Sequence, residues 1–280
     1  MHPTRLEIAL SPCPNDVFFL SGLILKKILS PFALSFHFAD IESLNEAILK
    51  KEFPVIKASF AVYPEVFEDY EILGAGAALG FGVGPILVSN THLKENFLGL
   101  KIAIPGKYTT AHFLWNLFFG TAYVEKIFIP YNEIIPALKA RKVDLGILIH
   151  EGRFVYEKYG LFKISDLGEL WEKKTHLPLP LGGFFIKRDL PKDIKRTILK
   201  LFRKSLEYAL QHQEEIYPLL KQYAQEMDRE TLFRHVKTFV NEYTYKLEGE
   251  GLEALKVFLK FLGLKGNISE FLWEEEDGIS

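Results

Sequence analysis

The sequence predicts an α/β protein of two lobes with a central cleft, and three observations carry that expectation. Short apolar strands alternate with helical stretches from the start of the chain. The alternation begins afresh near Asn90, after a glycine-rich passage. Beyond Pro191 the pattern becomes almost wholly helical, with no strands of its own. A helical tail without a sheet needs one to pack against, so the expected division is discontinuous. Residues 1–89 and 186–280 form a large α/β lobe, and 90–185 form a small one.

Each element has its own reason. Leu6, Ile8 and Leu10 alternate with Arg5, Glu7 and Ala9, the period-2 pattern of a strand. After Ser11–Asp16 an apolar run through Leu20, Leu23, Ile24 and Ile28 reads as a helix, for which Asn15 or Asp16 is the expected N-cap. Leu34, Phe36 and Phe38 alternate again, and Ile41, Leu44, Ala47 and Ile48 return to helical spacing. Val55–Ser59, 71–73 and 83–88 read as strands. In the second unit, LGLKIAIPG is a buried strand closed by Pro105 and Gly106. TTAHFLWNLFFG is a helix, VDLGILIH a strand ending at His150, and GGFFIKRDL (182–190) another strand. The tail offers four helical faces, around 194–206, 216–223, 232–239 and 252–262.

Composition narrows the function classes. The chain has 280 residues, 48% apolar and 25% charged, enough to bury a sizeable core. Thirty-four basic residues against 36 acidic ones leave a net charge of −2, without the basic excess that binds nucleic acid or an anionic membrane. Cys13 is the single cysteine, so no internal disulfide can form. MHPTRLEIALSPCPND has no apolar core of signal-peptide length, because Glu7 interrupts it and prolines close it; the expected address is the cytoplasm.

Cofactor motifs fail on inspection. In GAGAALGFGVGP the third glycine of a dinucleotide fingerprint is replaced by Leu79, and Gly84 leads into Pro85 and a strand instead of a helix. A passage where backbone closely approaches other groups is the plain reading. IPGKYTT carries Tyr108 where a phosphate loop needs Ser or Thr, and neither G-x-S-x-G nor H-E-x-x-H occurs. The expectation is no cofactor and no metal.

Three features remain. Ser11, Asn15 and Asp16 sit in a loop stiffened by Pro12 and Pro14 at the end of the first strand, where α/β sheets present ligand-contacting groups; a capped turn is the bland alternative. Thr109 and Thr110 open a helix, where amides and hydroxyls can hold a carboxylate, although an ordinary Thr N-cap looks the same. Lys57 and Ser59 would add a cation and a hydroxyl if they face the same place. His150, at a strand end, has an unperturbed pKa of about 6.5 that suits a general base.

These segments together resemble one family. SPCPNDVF, Lys57-Ala58-Ser59, ALGFGVGP, PGKYTTAHFL, LIHEGRFVYEKYGL, LPLPLGG and HVKTFVNEYT are similar, in order and over nearly the whole chain, to the 1,4-dihydroxy-6-naphthoate synthases of the futalosine route to menaquinone. The resemblance implies a type II periplasmic-binding-protein-like fold reused as a cytoplasmic enzyme. It implies a carbon–carbon lyase that turns cyclic dehypoxanthinylfutalosine into 1,4-dihydroxy-6-naphthoate with no cofactor or metal. His150 matches the proposed proton acceptor, and Lys57, Ala58, Ser59, Thr109 and Thr110 match substrate contacts. Gly152 departs from the pattern where the family often has Ser. The rival readings are a chorismate dehydratase of the same route and a non-catalytic solute-binding protein for a small aromatic carboxylate.

Overall fold

A computed structural model of the chain describes residues 4–93, 97–224 and 228–274. In chain order the elements are β1 (Arg5–Leu10), α1 (Pro14–Ile24), β2 (Ala33–Phe38), α2 (Ile41–Leu49), β3 (Val55–Ser59), β4 (Tyr70–Leu73), β5 (Ala78–Gly80) and β6 (Ile86–Ser89). There follow β7 (Lys101–Ile104), α3 (Thr110–Phe119), β8 (Glu125–Phe128), α4 (Ile134–Lys139), β9 (Leu145–Leu148), α5 (Gly152–Val155), β10 (Phe162–Asp166), α6 (Leu167–Thr175) and β11 (Leu179–Lys187). The tail is α7 (Lys192–Gln211), α8 (Gln213–Tyr223), α9 (Arg229–Phe239), α10 (Glu242–Tyr245), α11 (Gly249–Phe261), α12 (Ile268–Phe271) and β12 (Leu272–Trp273). Among the described residues no helix is long and apolar enough to cross a membrane.

The chain divides into two compact units, 1–80 with 180–280 and 81–179. The larger holds a sheet in the order β12-β4-β11-β3-β1-β2, with β5 added alongside β11. Strands β1, β2 and β3 run parallel, and β11 runs antiparallel to β3 with Gly182 opposite Ser59. Helix α1 is buried over most of its length because it has cover on several sides: α7, α8 and α9 all pack against it. Gly22 permits a close approach of α7, since a Cβ there would lie 3.2 Å from Ser205 Cα. Phe19, Phe184 and Phe202 interlock at the centre, with centroids 5.0–5.7 Å apart, where aromatic pairs add to the burial of their apolar area.

The smaller unit has a sheet in the order β10-β6-β9-β7-β8. Strands β9, β7 and β8 are parallel, while β6 is antiparallel to both β9 and β10. Register therefore gathers five chain segments at one edge: the start of β6 and the ends of β7, β8, β9 and β10. Ile86 opposes Leu148 on one side and Asp166 on the other. Ile134 and Leu138 of α4 fill one face of this sheet against Ala103 and Val88.

Two boundaries differ from the sequence reading. The strand expected at 83–88 and grouped with residues 1–89 is β6, and it pairs only within the smaller sheet. Strand β11, whose first residues that reading gave to 90–185, runs in the larger sheet from Leu179. Sheet membership is decided by partners far away in sequence, which a strand's own alternation does not encode. The N-cap of α1 also moves, to Cys13, because Pro14 takes the first helical position and fixes its φ there.

Candidate functional site

In the larger unit Ser11–Cys13 form a short loop after β1 that leads into the first turn of α1, which carries Asn15 and Asp16, and Lys57–Ser59 end the neighbouring parallel strand β3. Asp16 and Lys57 form a buried ion pair, Oδ1 to Nζ 2.9 Å. Asp16 also accepts hydrogen bonds from Ser11 Oγ (2.6 Å) and Asn15 Nδ2 (2.9 Å), and Lys57 donates to the Gly76 carbonyl at 2.9 Å. Every bond around this carboxylate is charge-assisted, the strong class. Since the Asn15 nitrogen donates to Asp16, its Oδ1 is an acceptor, and His235 of α9 meets it at 3.1 Å. The imidazole Nε2 therefore carries the proton.

The cation that the sequence suggested for a ligand is thus turned inward, toward Asp16 and Gly76. Ala58 is fully buried, and Ser59 is tied to Asn45 by two bonds, its amide to Oδ1 (2.9 Å) and its hydroxyl to Nδ2 (3.1 Å). Asn15 alone of these six residues is half-buried; the others are buried.

The glycine-rich passage lies beside this group. Gly76 has φ +85°, and a Cβ would meet the Phe184 and Phe19 rings at 2.5 and 2.7 Å. No pyrophosphate loop is formed. The backbone instead threads between aromatic faces and is fastened to the tail: Gly76 N to the Thr244 carbonyl (2.7 Å), Thr244 Oγ1 to the Ala77 carbonyl (2.9 Å), and Asn241 Nδ2 to the Leu79 carbonyl (2.7 Å). The HVKTFVNEYT segment contributes both Asn241 and Thr244 to this fastening.

In the smaller unit Thr109 is the N-cap of α3. Its Oγ1 accepts from His112 N at 3.3 Å and donates to the Gly106 carbonyl at 2.9 Å. Thr109 and Thr110 are both buried. The positive end of α3 thus stands at the C-terminal end of β7. His150 lies two residues beyond β9, the parallel neighbour of β7, and is half-buried with φ +52°. Its ring meets Tyr131 edge to face, centroids 4.9 Å apart, and Tyr131 follows β8 on the other side of β7. The ends of three adjacent parallel strands therefore carry His150, the threonine pair and Tyr131, the edge at which open α/β sheets bind ligands. An imidazole there can take a proton, a helix start can hold an anion, and a ring can pack on an apolar face.

Sequence reasoning missed Tyr131, Arg153, Asp166 and His235. Arg153 stands in the quoted HEGRF segment, and Asp166 precedes Gly168 and Glu169 as an N-cap, a legible signal; its Oδ1 accepts both amides. Tyr131 and His235 carry no local signal.

His112 is contacted on both ring nitrogens. Lys126 Nζ, which can only donate, meets Nε2 at 3.3 Å, so the proton sits on Nδ1 facing the Lys107 carbonyl at 2.7 Å. Burial pushes its pKa down, the hydrogen bond to the Lys107 carbonyl opposes this, and the charges of Lys126 and Lys107 add to the lowering.

Among known families, the one described as menaquinone biosynthesis matches residues 6–263. The chain belongs to that family. Within it, two relatives named 1,4-dihydroxy-6-naphthoate synthase align over most of their length. The one from Thermus thermophilus is 39% identical over 89% of this chain and 91% of its own. The one from Streptomyces coelicolor is 36% identical over 95% of both chains. Among solved structures, a protein from Archaeoglobus fulgidus superposes with a TM-score of 0.88 at 32% identity, covering 94% of this chain and 98% of the other. The alkanesulfonate-binding protein of Xanthomonas axonopodis, bound to MOPS, gives a TM-score of 0.71 at 12% identity over 98% and 99% of the two chains. This menaquinone-biosynthesis protein has the periplasmic-binding-protein-like fold.

Proposed function

We propose that this chain is a carbon–carbon lyase that converts cyclic dehypoxanthinylfutalosine into 1,4-dihydroxy-6-naphthoate, with His150 as the general base. Membership of the menaquinone-biosynthesis family and the names of the two aligned relatives support the reaction. The observation that carries the residue assignment is the placing of His150 at the C-terminal end of β9, beside Tyr131 and next to the strand that leads into Thr109 and Thr110.

The chemistry follows from these positions. The substrate carries a carboxylate, which the start of α3 attracts through its amides and dipole. His150 removes a proton from carbon, the freed electron pair forms a new double bond of the ring, and the bond to the sugar-derived fragment breaks, the fragment leaving with that bond's electron pair and taking up a proton as the ring becomes aromatic. Aromatisation supplies the driving force, so positioned proton removal is the main task of the protein. It contributes typically about 10²–10⁴-fold. Tyr131 holds the imidazole plane by edge-to-face contact. In the larger unit the Asn15 amide is oriented by His235 and Asp16. Ser11, Asp16, Lys57, Ala58 and Ser59 are buried and support the first turn of α1, so Lys57 is not an exposed cation.

The test is incubation of purified protein with cyclic dehypoxanthinylfutalosine and detection of the dihydroxynaphthoate by mass. His150→Asn is the informative variant, since Asn tolerates a left-handed backbone better than most residues. It should fold and bind product while kcat falls about 10²–10⁴-fold. Near-normal turnover in that variant would remove His150 from the base role. Tight naphthoate binding with no turnover of the precursor by the unmodified chain would mark a solute-binding protein instead.

A further inference from the structure

We infer that Arg153 is a positioning residue for His150, a guanidinium strap that ties the exit of β9 across β6 to the end of β10. The inference rests on the reading of His150 as the base.

The turn carrying His150 stands just past the end of β9. It lies outside the ladder, its backbone is left-handed, and α5 behind it is a single turn held by Gly152 N to the Ile149 carbonyl (3.1 Å) and Phe154 N to the Glu151 carbonyl (2.8 Å). Arg153 leaves this turn and runs inward until its side chain is 11% exposed. Nη1 donates to the Gly84 carbonyl just before β6, and Nη2 donates to Asp166 Oδ2 at 3.3 Å at the end of β10. Asp166 is itself immobilised, because its other oxygen caps α6 through Gly168 N (2.9 Å) and Glu169 N (3.2 Å).

The Gly84 carbonyl is in reach because two glycines meet. A Cβ on Gly84 would lie 2.2 Å from Gly168 Cα, and one on Gly168 would lie 2.7 Å from Gly84 Cα. Neither position admits a side chain without moving the other backbone. The adjacent Pro85 carbonyl accepts from Leu167 N at 2.9 Å and fixes the same approach. The second half of ALGFGVGP and the arginine of HEGRF therefore serve one device. Burial lowers the affinity of this guanidinium for its proton, and Asp166 opposes that effect. A planar fork spans two acceptors that a single ammonium does not.

The experiment compares Arg153→Lys, Asp166→Asn and Gly84→Ala with the unmodified chain. Steady-state kinetics use cyclic dehypoxanthinylfutalosine, and histidine-labelled NMR is recorded without substrate. The expected result is a folded Arg153→Lys protein whose kcat is lower by up to about 10²-fold, the scale set by a small misplacement of a reacting group, with KM little changed. The His150 resonances and titration midpoint shift in all three variants while those of His112 stay in place. Unaltered His150 resonances in any folded variant, or unaltered kcat in folded Arg153→Lys, would overturn the assignment. Should Arg153→Lys fail to fold, Asp166→Asn, which keeps an acceptor at that position, decides by the same readouts. If the unmodified chain does not turn over this substrate, the spectra still decide the strap, and the failure belongs to the proposed reaction.

Discussion

Lys57 Nζ lies 2.9 Å from Asp16 Oδ1, with the two side chains 4% and 5% exposed. Removing one member of such a pair leaves an uncompensated buried charge, which costs far more than the pair is worth as a whole. Lys57→Met should therefore lower the unfolding free energy by about 3–5 kcal/mol in urea titrations. Adding Asp16→Asn to the same chain should recover part of that loss, giving a coupling on the order of 0.5–3 kcal/mol. Strictly additive losses would show that the two groups do not act as a pair.

Gly76→Ala combines two penalties. The left-handed φ of +85° costs an alanine on the order of 1–3 kcal/mol, and the new methyl meets Phe184 and Phe19 at 2.5 and 2.7 Å. Because the Gly76 carbonyl accepts from Lys57, displacement of this backbone also loosens the ion pair. Thermal unfolding should drop clearly, and an alanine variant as stable as the parent would contradict the packing described.

His112 links stability to pH. Its pKa in the folded chain lies below the ordinary imidazole value, so below about pH 6.5 the unfolded chain binds the extra proton more readily. Its contribution is present above that pH and is lost as the pH falls toward the lowered folded value. The difference between thermal midpoints at pH 7.5 and pH 5.5 should shrink in His112→Gln. An unchanged difference would mean that other groups set the acid limb.

Thr109→Ala removes both bonds of the α3 cap, to His112 N and to the Gly106 carbonyl. Stability should fall by about 1 kcal/mol, with Thr109→Ser close to the parent. In the proposed reading the Kd for 1,4-dihydroxy-6-naphthoate rises in the alanine variant and not in the serine one. Isothermal titration of the three proteins checks both halves.

What the sequence made legible was local. The Thr109 start of α3, the alternation of β1 and the apolar faces of α7, α8, α9 and α11 are written in spacing and capping chemistry, and the helices lie where those signals put them. Strand β8 escaped because EKIF is mostly exposed at a sheet edge and shows no alternation. The site residues were visible as residue types, but not as a network. Lys57 is cationic in any reading, yet its partners Asp16 and Gly76 are chosen by the parallel register of β1 and β3 and by the course of the glycine passage. Likewise His235 reaches Asn15 across a sequence separation of 220 residues. Such pairings are tertiary facts, and no period of 2 or 3.6 announces them.

Strand β5 pairs with β11, so the chain departs for residues 81–179 and comes back on hydrogen-bonded neighbours. Those residues are, in effect, a cassette spliced into an otherwise continuous architecture. A short bridge of a few residues should suffice to close the host after excision, and the excised piece carries its own sheet and core. Expression of each half alone, checked by circular dichroism, is expected to give a folded product from both, His150 lying in one and the Lys57 ion pair in the other.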